Sequence, residues 1–311
     1  MPLDPRAKRL LDALAATNPT SVRGQSVSER RAGLADLMRF SGPPEAVRSV
    51  DDCVLPGPAG DLPLRLYTPL EIPPSDSAGL VYFHGGGLVA GSLDTHDAVA
   101  RALANASACR VVSVGYRLAP EHRFPAAVED ACAAVTGIAD RAPAFGIDRT
   151  RLGVAGDSAG ATLAAVACQF LRGAPNVHIA LQLLLCPILD IGGSSESRRA
   201  FGAGYLVDEG TLEHDLLHYL GPQTDPADPR ISPLRAPDVA GLPPAIIHAA
   251  EFDPLRDEAC AYADQLRQAG VAVSYTCHAG MIHLFYGLAG VIPYARSAYR
   301  AIGAQVRLAM G

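Results

Sequence analysis

The run Gly156-Asp157-Ser158-Ala159-Gly160 constrains the fold of this chain more than any other feature. It lies between an apolar stretch, residues 152–155, and a stretch of good helix formers, residues 161–171. A Gly-x-Ser-x-Gly run between a strand and a helix forms a sharp, strained turn, in which the glycines let strand and helix approach without a Cβ clash. The pattern therefore predicts that Ser158 projects from the end of a sheet and has partner groups elsewhere in the chain.

Apolar, β-rich runs alternate with helix-forming stretches along most of the 311 residues. Such alternation predicts a mainly parallel sheet with helices on both faces, and half of the chain is hydrophobic (49%), enough to bury a large core. Strands are predicted at residues 50–55, 62–68, 79–83, 109–114, 151–155, 179–186, 245–250 and 271–277, and helices between strands at 96–107 and 126–140, with a last helix at 294–310.

Two segments fall outside the alternation. Asp4 before Pro5, and a capping box from Ser26 to Glu29, predict helices ahead of the first strand. We interpret residues 1–45 as an N-terminal helical cap segment; packing behind the core is the alternative.

Residues 189–241 are rich in Gly, Ser, Pro and Asp around one amphipathic helix near 209–220, which is typical of a lid. The predicted domains are the cap segment 1–45, a core of 46–188 and 242–311, and a cap insertion at 189–241.

Composition and charge exclude several classes of function. There are 26 basic and 32 acidic residues without a basic cluster, so nucleic-acid binding is not expected. Neither a membrane-spanning stretch nor a secretory leader is visible, and no Gly-x₄-Gly-Lys-Ser/Thr run that would bind phosphates occurs. The seven cysteines include no Cys-x-x-Cys, which indicates buried free thiols in a reducing cytoplasm.

A glycine-rich run follows the predicted strand that ends at residue 83. A serine hydroxyl is a poor nucleophile without a base, and the oxyanion that its attack creates needs preorganised N–H donors. The run His84-Gly-Gly-Gly is a motif that supplies such donors. We expect the N–H groups of Gly86, Gly87 and Ala159 to form the oxyanion hole, with His84 and Asp157 supporting the loop.

An acid and a histidine should follow the serine in the chain. Asp253 comes just after the strand 245–250, with Glu251 and Asp257 as competing carboxylates. Asp253 is preferred because it falls in the loop past the strand end, where an open parallel sheet has its active-site rim. His283 follows the last predicted strand and is the expected base; His278 is its closest rival.

These motifs together resemble the hormone-sensitive-lipase-like (family IV) bacterial esterases of the α/β-hydrolase fold, from about residue 62 to the C-terminus. The resemblance implies an α/β-hydrolase fold, a catalytic triad of Ser158, Asp253 and His283, a helical cap, and hydrolysis of short acyl esters without a cofactor or metal. It also implies a possible homodimer through the edge strand near 271–277. The motifs that carry the resemblance are those already described, together with Gly91-Ser-Leu-Asp-Thr-His96, Tyr116-Arg-Leu-Ala-Pro-Glu-His122, Phe124-Pro-Ala126 and Asp253-Pro-Leu-Arg-Asp257.

The chain departs from the family pattern at two points. Ala161-Thr162 stands where the family has Gly-Asn, and Leu284 stands where a glycine follows the catalytic histidine. We expect Leu284 to narrow the pocket beside His283.

Two further predictions concern the surroundings of the site. Phe201, Tyr205 and Tyr286 are candidate pocket-lining aromatics. In the Tyr116–His122 motif, we expect Arg117 and Glu121 to form an ion pair that stabilises a loop under the site.

The residues leave the reaction partly open. An amidase or a lactonase would use the same triad, and a protein of this fold could also bind a small molecule without turning it over. A small-molecule ester is the expected partner.

Overall fold

In the computed structural model, which describes residues 1–17, 22–72 and 76–311, one central sheet carries the fold. Its eight strands in the described ranges lie in the order β1-β2-β4-β3-β5-β6-β7-β8, and every neighbouring pair from β4 to β8 is parallel. Only the pairs β1–β2 and β2–β4 are antiparallel. The strands are β1 Ser49–Gly57, β2 Gly60–Thr68, β3 Ser77–Phe83, β4 Arg110–Val114, β5 Ile147–Asp157, β6 Leu181–Leu185, β7 Ala245–Phe252 and β8 Val273–Ile282.

Helices cover both faces of the sheet. One apolar core lies between the sheet and helices α4, α5 and α8, and the other lies between the sheet and helices α1, α2, α3 and α9. The mainly parallel sheet covered on both faces is therefore confirmed. The helices are α1 Pro5–Thr17, α2 Val27–Met38, α3 Asp97–Ser107, α4 Ala126–Asp140, α5 Ala159–Phe170, α6 Glu196–Phe201, α7 Glu209–Tyr219, α8 Arg256–Gln268 and α9 Tyr294–Met310.

The first two helices begin where their caps predict. Asp4 Oδ1 accepts from the backbone N–H groups of Arg6 and Ala7, at 2.7 and 3.2 Å. The capping box between Ser26 and Glu29 is present in full at the start of α2. Residues 18–21, which belong to the predicted cap segment 1–45, lie outside the described residues.

The last strand is longer than predicted. β8 runs to Ile282 instead of ending at residue 277, because Ile282 pairs with Phe252 of β7 beyond an irregularity in the ladder. His283 therefore follows the strand end directly. β8 lies at one edge of the sheet.

The predicted ion pair between Arg117 and Glu121 is wrong. Arg117 binds Asp130 of α4 instead, with Nη2 2.8 Å from Oδ1. Glu121 binds Arg31 of α2, at 2.6 Å. Both partners come from helices outside the motif, and Glu121 thus ties the N-terminal helix α2 to the core.

The seven cysteines are free thiols, but they are not all buried. Cys109, Cys168 and Cys186 are buried, whereas Cys277 is exposed on the edge strand β8. None of the helices in the described ranges combines the length and the apolar character that crossing a membrane requires.

Substituting Gly303→Ala should lower the free energy of unfolding by about 1–3 kcal/mol, as overpacking a tight contact does. Gly303 lies where α9 crosses α3, and a Cβ there would collide with the carbonyl group of Ala106. Gly33→Ala is the matched control, since this glycine of α2 has nothing within 4 Å of a Cβ and alanine favours helix by up to about 1 kcal/mol. Urea unfolding measures both variants, and a Gly303→Ala protein as stable as the wild type would contradict the close packing.

Candidate active site

Ser158 occupies the strained turn between β5 and α5. Its backbone has φ 53° and ψ −120°, a region that residues with a side chain rarely adopt. The two flanking glycines have no room for a Cβ: at Gly160 it would collide with the carbonyl oxygen of Phe83, and at Gly156 with the backbone of Gly160. The close contact of α5 with the end of β3 therefore keeps the serine in this conformation.

The structure brings together Ser158, Asp253 and His283, the three residues expected from the sequence to form a triad. His283 Nε2 lies 3.1 Å from Ser158 Oγ, and His283 Nδ1 lies 2.8 Å from Asp253 Oδ2. Asp253 Oδ1 accepts from the backbone N–H of Leu255 at 2.9 Å, which orients the carboxylate. All three side chains are buried. The arrangement can transfer a proton from the hydroxyl to the imidazole while the carboxylate holds the ring.

The competing residues are engaged elsewhere. Glu251 accepts from the N-terminal amino group and from the Gly280 N–H, and Asp257 accepts from the Ser197 N–H and from Arg256. His278 contacts His248 and Tyr294, with 2.9 and 3.0 Å between the paired atoms.

Two opposing effects act on the pKa of His283. Burial alone would lower the pKa, but the charge of Asp253 and its hydrogen bond to the ring outweigh burial, and the pKa lies above the usual histidine value. A raised pKa makes the imidazole a stronger base for the serine proton.

A buried thiol lies beneath this pair. Ligating atoms of Cys186, Asp253 and His283 all lie within 4.8 Å of one another, which makes this group the candidate metal cluster among the described residues. Burial and the neighbouring Asp253 carboxylate raise the pKa of the Cys186 thiol well above its usual value. A metal needs the thiolate, and Asp253 and His283 already bind each other, so the group fits an acid–base pair better than a metal site.

The glycine-rich loop after β3 lies beside the serine. Gly86 and Gly87 have φ values of 120° and 67°, which favour glycine. A Cβ at Gly86 would collide with the carbonyl group of Ala90, and one at Gly87 would collide with the Asp215 carboxylate. The N–H groups of Gly86, Gly87 and Ala159 donate to no protein group in the described part of the chain, and the three residues line the cavity above Ser158. They are thus available to an anionic oxygen.

Asp157 and His84 contact the base of this loop. Asp157 Oδ1 accepts from the Gly85 N–H at 2.9 Å and from the Tyr82 hydroxyl. Burial raises the Asp157 pKa, but nearby His96 opposes burial, and the pKa lies below the usual value. His84 Nδ1 lies 2.8 Å from the Gly85 carbonyl oxygen, and burial lowers its pKa to about 3. His84 is therefore neutral near pH 7.

A cavity of about 730 Å³ opens above Ser158. Mainly apolar side chains from α1, α2, the 189–241 segment and the core line it, including Leu284 as expected. Phe201, Tyr205 and Tyr286 are not among the lining residues. The prediction is wrong because Phe201 and Tyr205 pack with Phe252, with ring centroids 5.4 and 5.6 Å from the Phe252 ring, and Tyr286 is buried.

Several polar residues in and near the site carry no signal in the sequence. Arg30 and Asp215 form an ion pair in the cavity wall although 185 positions separate them, so no local pattern could reveal the pair. Glu258 of α8 is buried and accepts from the backbone N–H groups of Leu189 and Asp190, which anchors the start of the 189–241 segment. Burial raises the Glu258 pKa to about 7, against the opposing effect of Arg198.

Comparison with known proteins agrees with the geometry. Residues 80–287 match the model of a family described as having the alpha/beta hydrolase fold, and the chain belongs to that family. A carboxylic ester hydrolase of Mycobacterium tuberculosis, LipN, is 42% identical over 271 residues, which cover 83% of this chain and 70% of LipN. An ethyl acetate hydrolase of Pseudomonas putida is 41% identical over 240 residues, 75% of this chain and 74% of that protein.

Solved structures extend the likeness to nearly the whole chain. An alpha/beta hydrolase enzyme from the metagenome of Lake Arreo, Spain, has a TM-score of 0.95 at 38% identity and covers 98% of both chains. A hyperthermophilic esterase from Pyrobaculum calidifontis has a TM-score of 0.93 at 36% identity and covers 100% of both.

Asp157→Ala should lower the free energy of unfolding by about 2 kcal/mol or more. The substitution leaves the Gly85 N–H and the Tyr82 hydroxyl without an acceptor, and an unpaired buried donor costs about 1–3 kcal/mol. Urea unfolding near pH 7 measures the loss. Asp140→Ala is the control, because this half-exposed carboxylate pairs with Arg149 at 3.5 Å and should matter by less than about 0.5 kcal/mol. Equal stability of the two variants would exclude the loop-supporting contacts.

Proposed function

We propose that this protein hydrolyses carboxylic esters with short acyl chains through a covalent acyl-enzyme on Ser158. The observation that carries the proposal is the continuous hydrogen-bonded series from Ser158 Oγ through His283 to Asp253. Next to it lie three N–H groups that have no acceptor among the residues that the structure describes. The names of the relatives support the same reaction, since they include a carboxylic ester hydrolase and an ethyl acetate hydrolase.

In the first step, Ser158 Oγ attacks the ester carbonyl carbon while His283 Nε2 takes the hydroxyl proton. The carbonyl oxygen becomes an oxyanion that the N–H groups of Gly86, Gly87 and Ala159 stabilise. Asp253 stabilises the imidazolium and holds its tautomer. The C–O bond to the alcohol then breaks, and His283 gives its proton to the departing alcohol.

In the second step, water attacks the acyl-enzyme and His283 takes one of its protons. A second oxyanion forms in the same hole and collapses, which breaks the bond between the acyl carbon and Ser158 Oγ. The proton returns to Ser158, and the carboxylic acid leaves. No group outside the chain supplies electrons or protons other than water, so the proposal includes no cofactor.

The helices α1, α2 and α7 serve as the cap in this proposal. Their side chains close the cavity over Ser158, and removing water from the site strengthens each electrostatic contact with the transition state. The domain limits of 1–45 and 189–241 for the two cap segments belong to the proposal. The preference for short acyl groups is supported by the name of one relative, an ethyl acetate hydrolase.

We further propose a cytoplasmic location and a homodimer. The seven cysteines are all unpaired, as in proteins of a reducing compartment, and β8 is an edge strand of the sheet, where a second copy could pair. A monomer mass in light scattering would refute the dimer.

Ser158→Ala should reduce kcat for p-nitrophenyl acetate by roughly 10⁶-fold, as loss of the serine does in a comparable triad. The same assay with butyrate and octanoate esters measures acyl preference, and kcat/KM should be highest for the short chains. Ser297→Ala, an exposed serine of α9, is the control and should retain full activity. Substantial turnover by Ser158→Ala would refute the assignment, and faster turnover of anilide or lactone substrates than of esters would favour an amidase or a lactonase.

The acid limb of the pH profile of kcat/KM should follow the protonation of His283. Only the neutral imidazole accepts the serine proton, so kcat/KM falls as the pH drops through the His283 pKa, with a midpoint above the ordinary value of about 6.5. Asp253→Asn removes the charge that raises this pKa, so the midpoint should move to lower pH while kcat falls by roughly 10⁴-fold. Asp257→Asn, a neighbouring carboxylate that does not contact His283, should leave the midpoint in place. An acid limb that Asp253→Asn does not move would contradict the pairing.

A further inference from the structure

An ion pair between an arginine and an aspartate lies in the mainly apolar wall of the cavity. Arg30 of α2 and Asp215 of α7 both line it, and their side chains are only 12% and 9% exposed. The guanidinium binds side-on, with Nε 3.1 Å from Oδ1 and Nη2 2.7 Å from Oδ2 of the carboxylate. A pair of this geometry has a defined orientation, because both groups are planar and the contact is bidentate.

Asp215 is fully engaged and lies beside the proposed oxyanion hole. Its carboxylate is in contact with Gly87, where it leaves no room for a Cβ, and its Oδ1 also lies 3.1 Å from His214 Nδ1. An unpaired carboxylate at this place would repel the oxyanion that forms during catalysis. Arg30 offsets that charge, which explains why an acidic residue is compatible with the site.

One nitrogen of the Arg30 guanidinium makes no hydrogen bond to the described residues. The pairing with Asp215 uses Nε and Nη2, while Nη1 donates to no group in the described part of the chain. Two other polar groups of the wall are engaged within the protein: Asp208 accepts from Thr211, and Thr162 donates to the Ile188 carbonyl oxygen. A guanidinium N–H group in a sheltered cavity is stabilised only when water or a ligand oxygen accepts its hydrogen bond.

We propose that Arg30 is a specificity-determining residue that binds an oxygen in the acyl part of the substrate. The substrates would be short-chain esters whose acyl group carries an ether, hydroxyl or keto oxygen a few bonds from the reacting carbonyl. This inference rests on the proposed ester hydrolysis and adds a substrate class to it. The guanidinium is already neutralised by Asp215, so it selects a neutral acceptor and not an anion.

The position of the pair assigns the oxygen to the acyl group and not to the alcohol. The departing alcohol must lie against His283 Nε2, which protonates it. Asp215 contacts Gly87, a donor of the proposed oxyanion hole, and Arg30 is bound to Asp215. We therefore assign to the acyl chain the part of the ester that extends toward the pair.

A purely structural role would make the pair a link between α2 and α7. The chain offers a matched control for that role in the next residue, Arg31. Arg31 ties α2 to the core through the carbonyl oxygens of Val89 and Ala119, at 2.9 and 3.1 Å, and through Glu121, but it does not line the cavity.

The test compares two p-nitrophenyl esters of equal length, the pentanoate and the 3-methoxypropanoate, in which an ether oxygen replaces one methylene group. The ratio of their kcat/KM values is measured for the wild type and for Arg30→Met/Asp215→Asn, which removes both charges together. Dividing the ratio measured for the variant by the ratio measured for the wild type cancels the difference in intrinsic reactivity between the two esters. Butyl acetate and 2-methoxyethyl acetate form the corresponding pair with the oxygen in the alcohol.

The double variant should lower the ether-to-alkyl ratio by about tenfold, the factor that loss of a hydrogen bond to a charged donor produces, and the change should appear mainly in KM. Arg30→Lys should lower the ratio as well, because an ammonium bound to Asp215 has no second planar edge. Arg31→Met should change the rates for both esters by the same factor. For butyl acetate and 2-methoxyethyl acetate, the ratio of the kcat/KM values should be the same in the wild type, the double variant and Arg30→Lys.

An unchanged ratio in both Arg30 variants, an equal change in Arg31→Met, or an effect confined to the acetates would overturn the inference while leaving ester hydrolysis intact. A wild-type protein that hydrolyses none of the four esters would refute the proposed function itself.

Discussion

The contact between the start of α5 and the end of β3 is the constraint on which the site depends. Gly160 has no space for a Cβ against the Phe83 carbonyl group, so the chain can turn only through the strained backbone of Ser158. That one contact directs the serine side chain into the cavity, aligns the Ala159 N–H, and brings the His84–Gly87 loop beside both. Backbone strain of about 1–3 kcal/mol at such a residue persists because the surrounding structure overdetermines it.

Electrostatics then give similar side chains different tasks. Burial lowers the pKa of His84 to about 3, because no carboxylate among the described residues hydrogen-bonds to its ring. Asp253 instead keeps the pKa of the buried His283 above its ordinary value. The two buried carboxylates also differ in their partners. Asp253 binds the ring of His283, next to the reacting serine. Asp157 accepts from Gly85 and Tyr82 at the base of the loop, and nearby His96 helps to keep its pKa below the usual value. The partner and not the residue type sets each role.

Most of the fold and the three residues in the hydrogen-bonded series could be predicted from local patterns. The period of apolar residues, the helix caps and the glycine runs each act within a few positions, so the sequence alone reveals them. The errors share a different origin. Arg117 and Glu121 pair with Asp130 and Arg31 instead of each other, and Phe201 packs on Phe252 instead of lining the cavity. Side-chain partners across the fold depend on how whole elements pack.

The sequence by itself determined the parallel α/β sheet, the strained turn at Ser158 and the order of the groups that follow it, because chain order and local backbone chemistry specify these. Only the tertiary structure decided which groups meet. Arg30 and Asp215 are far apart in the chain, and the docking of α2 and α7 over the sheet places them beside Gly87. The shape and polarity of the cavity, and therefore the choice of substrate, arise from such packing between separate segments, which no local pattern encodes.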